Sequence, residues 1–267
     1  MEKKIKAYIA ELEKKKNVKV LLACETGSRA WGFPSPDSDF DVRILYVHKT
    51  DWYLTLNDQK DSIEVMLENN DLDITGWELK KSLKLLYKSN VALLERIQSP
   101  IIYTCDKEFL EEVNLLAEKC YSKIATMHHY LSMAKKCMSE INRKEEYKLK
   151  KLFYTLRTTI ACKWIIDRNE IPPIEFSIML DKLEIDNKIV DRINELIKFK
   201  LSAAESYMHK GELELISYMN SIMEEATEKA KGLSSSKNSF EAGSDLLRKY
   251  ILKNDNRIFK EKQFSNS

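Results

Sequence analysis

VKVLLACETGSRAWGFPSPDSDFDVR, residues 18–43, is the stretch of sequence that decides the fold. Its apolar run from Val18 to Ala23 predicts a strand over 18–25 that leads into a small turn at Thr26-Gly27-Ser28. A polar loop with two prolines follows, and a second apolar run predicts a strand over 40–48. The stretch therefore predicts two neighbouring strands joined by a glycine turn and a polar loop.

Two aspartates, Asp39 and Asp41, begin the second strand. Because side chains alternate along a strand, both project from one face. Neighbouring carboxylates repel each other unless a cation lies between them, and carboxylate oxygens suit Mg²⁺ or Mn²⁺. Gly27 lets the backbone approach a ligand, and Ser28 can hold a phosphate oxygen. Each feature alone is usually a turn or a solvated strand edge, but their combination indicates a nucleoside-triphosphate site.

The order of these features resembles the signature of the DNA polymerase β-like nucleotidyltransferase superfamily: an apolar strand, Gly-Ser, ten residues, and Asp-x-Asp entering a second strand. Residues 27–33 (GSRAWGF) and 38–43 (SDFDVR) resemble, more narrowly, the RlaP family of nucleotidyltransferases (RNA-ligase-associated polymerase). Later segments are similar to the same family, namely 76–83 (GWELKKSL), 89–95, 99–103 (SPIIY), 150–157 (KKLFYTLR) and 172–174 (PPI).

The resemblance implies an α+β fold. Residues 1–104 would form a polymerase-β-like nucleotidyltransferase domain, a small mixed sheet with flanking helices. An all-helical domain over 105–253 would follow, and residues 254–267 would form a polar C-terminal tail. Apolar periodicity predicts the helices themselves, over 2–15, 77–89, 91–98, 106–119, 122–142, 145–168, 175–184, 187–208, 211–231 and 239–253.

The chemistry that the resemblance implies is two-metal transfer of an NMP from an NTP to a hydroxyl group. Two Mg²⁺ (or Mn²⁺) ions would be held by Asp39, Asp41 and a third carboxylate on a neighbouring strand. A predicted β-hairpin over 62–75 offers that carboxylate, because both of its strands alternate and Asn69-Asn70 tolerates a left-handed turn. Asp73, flanked by apolar residues, is the first choice, and Asp71 and Glu64 are the alternatives.

Four residues near the first two strands are candidates for phosphate binding. The resemblance assigns the β- and γ-phosphates to Gly27 and Ser28, and Arg29 follows them directly. Arg43 continues the alternation from Asp41, so it faces the same site. Its guanidinium could contact the triphosphate or form a salt bridge with the aspartates.

Further candidates lie in the helical region. Lys151 and Arg157 match the family's Lys and Arg positions and would contact the triphosphate or the acceptor. Tyr154 could stack on the base, although an aromatic residue at helical spacing is more often part of a core. Residues 135–168 carry ten basic and four acidic side chains. This basic excess either attracts phosphates or belongs to a helix face exposed to solvent.

Composition limits the class of protein. With 267 residues, 32% charged and 43% apolar, the chain is typical of globular proteins. No stretch approaches the roughly 20 apolar residues of a membrane span, and the first 16 residues resemble no signal peptide, which predicts no membrane partner and a cytoplasmic location. The five cysteines are scattered without metal-ligand spacing, which predicts reduced core residues and no zinc.

The predicted function is thus a metal-dependent nucleotidyltransferase that uses an NTP and an RNA or tRNA end as acceptor. One alternative keeps the chemistry and changes the acceptor to a protein hydroxyl (AMPylation or UMPylation) or a small molecule. Another is a nucleotide- or RNA-binding module without catalysis, although such a module has no need of three carboxylates.

Overall fold

A computed structural model of the chain describes residues 1–67, 72–142, 145–233 and 238–264. The strands in these ranges are β1 (Lys19–Glu25), β2 (Phe40–Val47), β3 (Ser62–Leu67), β4 (Leu72–Glu78), β5 (Ile102–Cys105), β6 (Tyr147–Lys148) and β7 (Met208–His209). The helices are α1 (Glu2–Lys16), α2 (Gly27–Trp31), α3 (Thr50–Tyr53), α4 (Leu79–Leu86), α5 (Val91–Ile97), α6 (Lys107–Cys120), α7 (Lys123–Ile141), α8 (Leu149–Arg168), α9 (Phe176–Lys182), α10 (Asn187–Lys200), α11 (Leu213–Lys231) and α12 (Glu241–Phe264).

Five strands form one mixed sheet in the order β3-β4-β2-β1-β5. Three of its four strand pairs are antiparallel, and β2 with β4 is the parallel pair. A parallel pair needs a crossover connection, which here runs through α3 and β3. The predicted α+β class with a small mixed sheet is confirmed.

The core of the sheet is built by alternating apolar side chains that meet the apolar stripe of α1. Ile5, Ile9 and Leu12 of that helix are buried against Val42, Tyr46 and other strand residues. The residues of β2 that alternate with the core residues, such as Asp41 and Arg43, project away from this core. Burial of one face therefore fixes which β2 side chains remain available for chemistry.

Strand β4 is longer than predicted. Its pairing continues through Trp77 and Glu78, which lie beside Leu45 and Tyr46 of β2, so α4 begins at Leu79 and not at residue 77. The Glu78 carboxylate then caps the helix by accepting hydrogen bonds from the N–H groups of Lys80 and Lys81, at 2.8 and 3.1 Å. Strand pairing on both sides of β4 thus outweighs the helical periodicity of the sequence.

Spatial contacts divide the chain into two compact units. Unit 1 comprises residues 1–26, 39–121 and 237–267, and holds the five-stranded sheet with α1, α3 to α6 and α12. Unit 2 comprises residues 27–38 and 122–236, and holds α2, α7 to α11 and the small β6-β7 sheet. The domain boundaries expected at 104 and 253 stay a prediction.

Unit 2 differs from the predicted elements mainly in three places. The helix predicted over 145–168 begins at Leu149, because Tyr147 and Lys148 form β6. Helix α10 ends at Lys200, eight residues before the predicted end, because Met208 and His209 pair with β6 instead of continuing the helix. The short helix α2 also occupies the segment predicted as a turn. In unit 1, α12 extends to Phe264, so the expected tail from 254 begins inside a helix.

Two further features bear on the sequence predictions. All five cysteines are free, and four are buried, whereas Cys105 is only half-buried. Among the residues that the structure describes, no helix has the length and apolar character that crossing a membrane requires.

Candidate functional site

The centre of the candidate site is the parallel pair of β2 and β4. Their register places Asp41 directly beside Asp73, with Phe40 beside Leu72 and Val42 beside Ile74. Because Val42, Leu72 and Ile74 are buried in the core, the two aspartates project from the opposite face. Asp73, the first choice for the third carboxylate, thus lies in register with Asp41.

A single guanidinium joins these carboxylates. Arg43 Nη2 lies 2.7 Å from Asp41 Oδ1 and 2.9 Å from Asp73 Oδ2. Arg43 Nη1 also donates hydrogen bonds to the backbone carbonyls of Asp73 and Val42, at 3.2 and 3.1 Å. Of the two interpretations of Arg43, the salt bridge is the one that the structure contains. The cation relieves the repulsion that two adjacent carboxylates would otherwise suffer.

The backbone of Asp41 is fixed by the end of β1. The buried carboxylate of Glu25 accepts a 2.6 Å hydrogen bond from the Asp41 N–H through Oε1, and its Oε2 accepts one from the Tyr103 hydroxyl. The N–H of Thr26 donates to the Asp41 carbonyl at 2.9 Å. Both backbone groups of Asp41 are therefore held, which restricts the direction of its side chain. Sequence reasoning missed Glu25, although an acid ending an apolar strand was a visible signal.

A second arginine lies behind Arg43. The Arg96 guanidinium stacks 3.4 Å above the centre of the Trp77 ring and donates from Nη2 to the Thr75 hydroxyl at 3.4 Å. Burial lowers the pKa of Arg96 to about 9, and the positive charge of Arg43 adds to the shift. Arg96 is a buried packing residue of the sheet face that carries Asp73, and sequence reasoning did not select it.

The Gly-Ser motif lies in unit 2. Gly27 has a φ of 66°, a left-handed conformation that glycine adopts without steric cost, and α2 begins there. The Ser28 hydroxyl donates to Ser38 Oγ at 3.1 Å, and Arg29 Nη2 donates to the Ser38 carbonyl at 2.6 Å. The two ends of the polar loop are thereby tied together around Ser38.

A lysine and a glutamate extend this polar network. Ser38 Oγ lies 3.1 Å from Glu205 Oε1, and Lys150 Nζ forms a 2.8 Å ion pair with Glu205 Oε2. The Glu205 N–H donates to Asp37 Oδ1 at 2.9 Å. The network that contains the Ser28 hydroxyl therefore includes Lys150. Nothing local in the sequence indicated Glu205, which is more than 160 residues from Ser38.

The predicted residues of α8 form the following contacts in unit 2. Lys151 forms a 3.0 Å ion pair with Glu140 of α7. Arg157 is buried, with its guanidinium 4.5 Å from the centre of the Trp31 ring and Nη2 donating to the Ile174 carbonyl at 3.3 Å. Tyr154 packs edge-on against Trp31, with ring centres 5.0 Å apart. Arg157 and Tyr154 thus both pack against Trp31.

The remaining acidic candidates are Asp39, Glu64 and Asp71. Asp39 is exposed and lies immediately before β2, and Glu64 of β3 is opposite Thr75 and not opposite Asp73. Asp71 lies outside the described residues. Within the described ranges, no three His, Cys, Asp or Glu side chains are grouped as a metal site. The Asp41 and Asp73 carboxylates are oxygen ligands of the kind that a hard cation prefers, and the metal-ligand roles of Asp39, Asp41 and Asp73 all stay predictions.

The chain is similar to known proteins in sequence. The model of RlaP, an RNA repair pathway DNA polymerase beta family, matches residues 1–249. The uncharacterized protein YcgL of Bacillus subtilis (strain 168) is 37% identical over 205 residues, which cover 77% of this chain and 78% of that protein. A nucleotidyltransferase-like protein from Exiguobacterium sibiricum 255-15 has a solved structure that matches 93% of this chain and 80% of its own, with 9% identity and a TM-score of 0.33.

Proposed function

Because the chain belongs to the RlaP family, an RNA repair pathway DNA polymerase beta family, we propose that it is a metal-dependent nucleotidyltransferase that moves an NMP from an NTP to the hydroxyl end of an RNA, tRNA included. The observation that carries the proposal is the adjacent pair of Asp41 and Asp73, in register on parallel strands and joined by Arg43. A binding module has no need of such a pair, because carboxylates repel phosphates.

Asp41 and Asp73 would hold a divalent cation, Mg²⁺ or Mn²⁺, and Asp39 is the proposed third ligand. When bound, such ions neutralise the developing charge on the phosphates and lower the pKa of the attacking hydroxyl. The contribution of the chain is positional: Glu25 and Thr26 fix the backbone of Asp41, and strand pairing fixes Asp73 beside it.

The phosphate-binding roles are proposed for the motif in unit 2. Gly27 and Ser28 would contact the β- and γ-phosphates, and Arg29 would hold their loop through the Ser38 carbonyl. Among the lysines at the start of α8, the network around Ser38 favours Lys150 over Lys151 as the cation on the phosphate side. Arg157, buried against Trp31, would support the segment that carries Ser28.

The test uses each α-³²P-labelled NTP with Mg²⁺ or Mn²⁺ and total RNA, and a protein lysate in parallel. We expect label in RNA, reduced at least 100-fold in Asp41→Asn and Asp73→Asn. Asp191→Asn, which changes an exposed aspartate of α10, is the matched control and should label RNA as the wild type does. Label in a protein band would identify a protein, and not RNA, as the acceptor. Full activity in Asp41→Asn would overturn the proposed mechanism.

A further inference from the structure

A groove in unit 1 lies apart from the aspartate pair, between α4 and the start of α12. Its floor is apolar, formed by Leu83, Tyr87, Phe240 and Leu247, and its volume is about 450 Å³. The size falls in the range of small-ligand and nucleotide sites. Phe240 leaves 62% of its surface in solvent, an unusual exposure for a phenylalanine and one that a bound partner could cover.

The geometry of the groove is fixed by a close contact between its two walls. The Gly243 N–H donates a 3.0 Å hydrogen bond to the Tyr87 hydroxyl, and a Cβ at Gly243 would lie only 2.6 Å from the Tyr87 ring. Tyr87 in turn packs against Phe240, with ring centres 4.6 Å apart. Glycine at 243 therefore brings α12 against Tyr87 and places Phe240 beside it.

Three lysines line one side of this groove, and we name them the lysine ridge: Lys80, Lys84 and Lys88. All three are exposed; Lys80 and Lys84 lie on α4, about 6 Å apart along the helix axis, and Lys88 lies in the turn that follows α4. None of the three forms an ion pair with another described residue, whereas the neighbouring Lys81 pairs with Asp61 at 2.8 Å. Among the described residues that line the groove, none is acidic. The ridge is therefore a row of positive charges beside an apolar, aromatic floor.

A second groove, of about 480 Å³, lies on the other side of the same lysines and contains Trp52 and Tyr53. It also contains acids, Asp58 and Asp61 among them, so its charge is mixed. Aromatic side chains thus flank the ridge on both sides. A polyanion with flat apolar groups has the matching chemistry, because its phosphates can pair with lysines while its bases stack on aromatic rings.

We propose that the lysine ridge and the Phe240 groove bind single-stranded RNA, several nucleotides from its reacting end. The choice of RNA rests on the proposed function. Strand β4 separates the two places: from Asp73 to Glu78, just before α4, the strand spans about 17 Å. The groove therefore holds the body of the acceptor and leaves the terminal hydroxyl free to reach the aspartates.

Binding of a fluorescein-labelled 12-nucleotide single-stranded RNA, followed by anisotropy without NTP and with EDTA, tests the proposal. Replacing all three ridge lysines by alanine should weaken binding at least tenfold and make the slope of log K against log salt shallower by about 2. The matched control replaces Lys14, Lys15 and Lys16, three exposed lysines of α1, and should bind as the wild type does. Phe240→Ala should weaken binding about tenfold and leave the salt slope unchanged.

Photocrosslinking supplies a direct readout. An RNA with 4-thiouridine should crosslink to the peptides that contain Tyr87 and Phe240, and the crosslink should disappear in the ridge variant. Equal affinities of the ridge and control variants, or crosslinks only elsewhere, would overturn the proposal.

The same assays separate this proposal from the catalytic one. Asp41→Asn should bind RNA as the wild type does, since binding needs no chemistry. RNA binding at the groove without any label transfer would reject the proposed function and support the groove as an RNA site. Label transfer to RNA, with unchanged RNA binding in the ridge variant, would support the proposed function and reject the groove.

Discussion

At the residue scale, Arg43 is the most informative side chain of the candidate site. Its Nη2 forms ion pairs with the Asp41 and Asp73 carboxylates at 2.7 and 2.9 Å, and its side chain is 17% exposed. A divalent cation that binds both carboxylates must compete with this guanidinium. If the proposed cation binds there, Arg43 stabilises the metal-free protein and weakens the apparent affinity for the cation.

Replacing Arg43 by glutamine should separate these two effects. Without the cation, Asp41 and Asp73 repel each other, so the metal-free protein should lose about 1–2 kcal/mol, or a few degrees in Tm. Added Mn²⁺ should then raise Tm by more than it does in the wild type. Thermal unfolding with and without Mn²⁺ measures both changes. Arg192→Gln, which removes an exposed pair with Glu195 and Glu212, is the control and should not alter the response to Mn²⁺.

A second residue-scale prediction concerns the lysines at the start of α8. Lys150 belongs to the Ser38–Glu205 network, and Lys151 pairs with Glu140. We therefore expect Lys150→Ala to raise the KM for NTP about tenfold, the loss of one charge-assisted contact. Lys151→Ala should stay within about twofold of the wild type. Steady-state kinetics over a series of NTP concentrations measures both KM values. A larger KM increase in Lys151→Ala than in Lys150→Ala would show that Lys151, the residue matched to the family, makes the contact.

At the element scale, sequence periodicity predicted most helices and strands within a few residues. The helix predicted over 91–98 is an example: α5 runs from Val91 to Ile97, and the Asn90 side chain caps it by accepting a 3.1 Å hydrogen bond from the Leu93 N–H. The predictions failed where a distant partner decides the structure. Strand β4 continues past Gly76 because β2 and β3 pair with it, and α10 ends early because β6 pairs with β7. Local propensity carries no information about such partners.

The same limit applies to the site. The pattern of Asp41, Asp73 and Arg43 was visible from alternation within two strands. Glu205 acts through a hydrogen bond to Ser38, 167 positions away, so no local spacing could identify it. Glu25 offered a local signal, an acid that ends an apolar strand, but its partner Asp41 is 16 positions away.

Gly76 gives a stability prediction for β4. A Cβ at this position would lie 3.2 Å from the Tyr46 ring, and that ring is fully buried in the sheet core. Gly76→Ala should therefore cost about 1–3 kcal/mol through overpacking. Urea unfolding measures the change. In the control Gly232→Ala, the new Cβ would meet only the Lys229 carbonyl at 3.7 Å, so stability should be nearly unchanged. Equal losses in the two variants would contradict the role given to Tyr46.

At the scale of the whole molecule, the chain passes between two units more than once. Residues 27–38 leave the sheet after β1, join unit 2, and the chain then returns to unit 1 for β2. Within unit 2, Phe33 is buried against Phe153 and Phe176, with ring centres 4.9 and 5.6 Å apart. The segment that carries the Gly-Ser motif is thus also part of the core of unit 2. A division of the sequence into consecutive domains could not reveal this.

Phe33→Ala should consequently destabilise unit 2 first. Removal of a fully buried phenylalanine costs about 3–5 kcal/mol. Hydrogen exchange should show faster exchange in α8 and α9 than in the strands of the five-stranded sheet. In the control Phe199→Ala, a half-exposed ring is removed, and protection should change little. Uniform loss of protection across both units would show that they unfold together.

The position of Phe33 in the chain also determines how long it waits for its packing partners during translation. Its partner Phe176 follows about 140 residues later, which a ribosome needs about 7–30 s to translate at about 5–20 residues per second. Once it has left the ribosome, the aromatic segment with Trp31 and Phe33 therefore lacks its helical partners until their residues have been made. A nascent chain of this protein therefore offers chaperones an early, long-lived hydrophobic target, and its folding on the ribosome waits for the second half of the molecule.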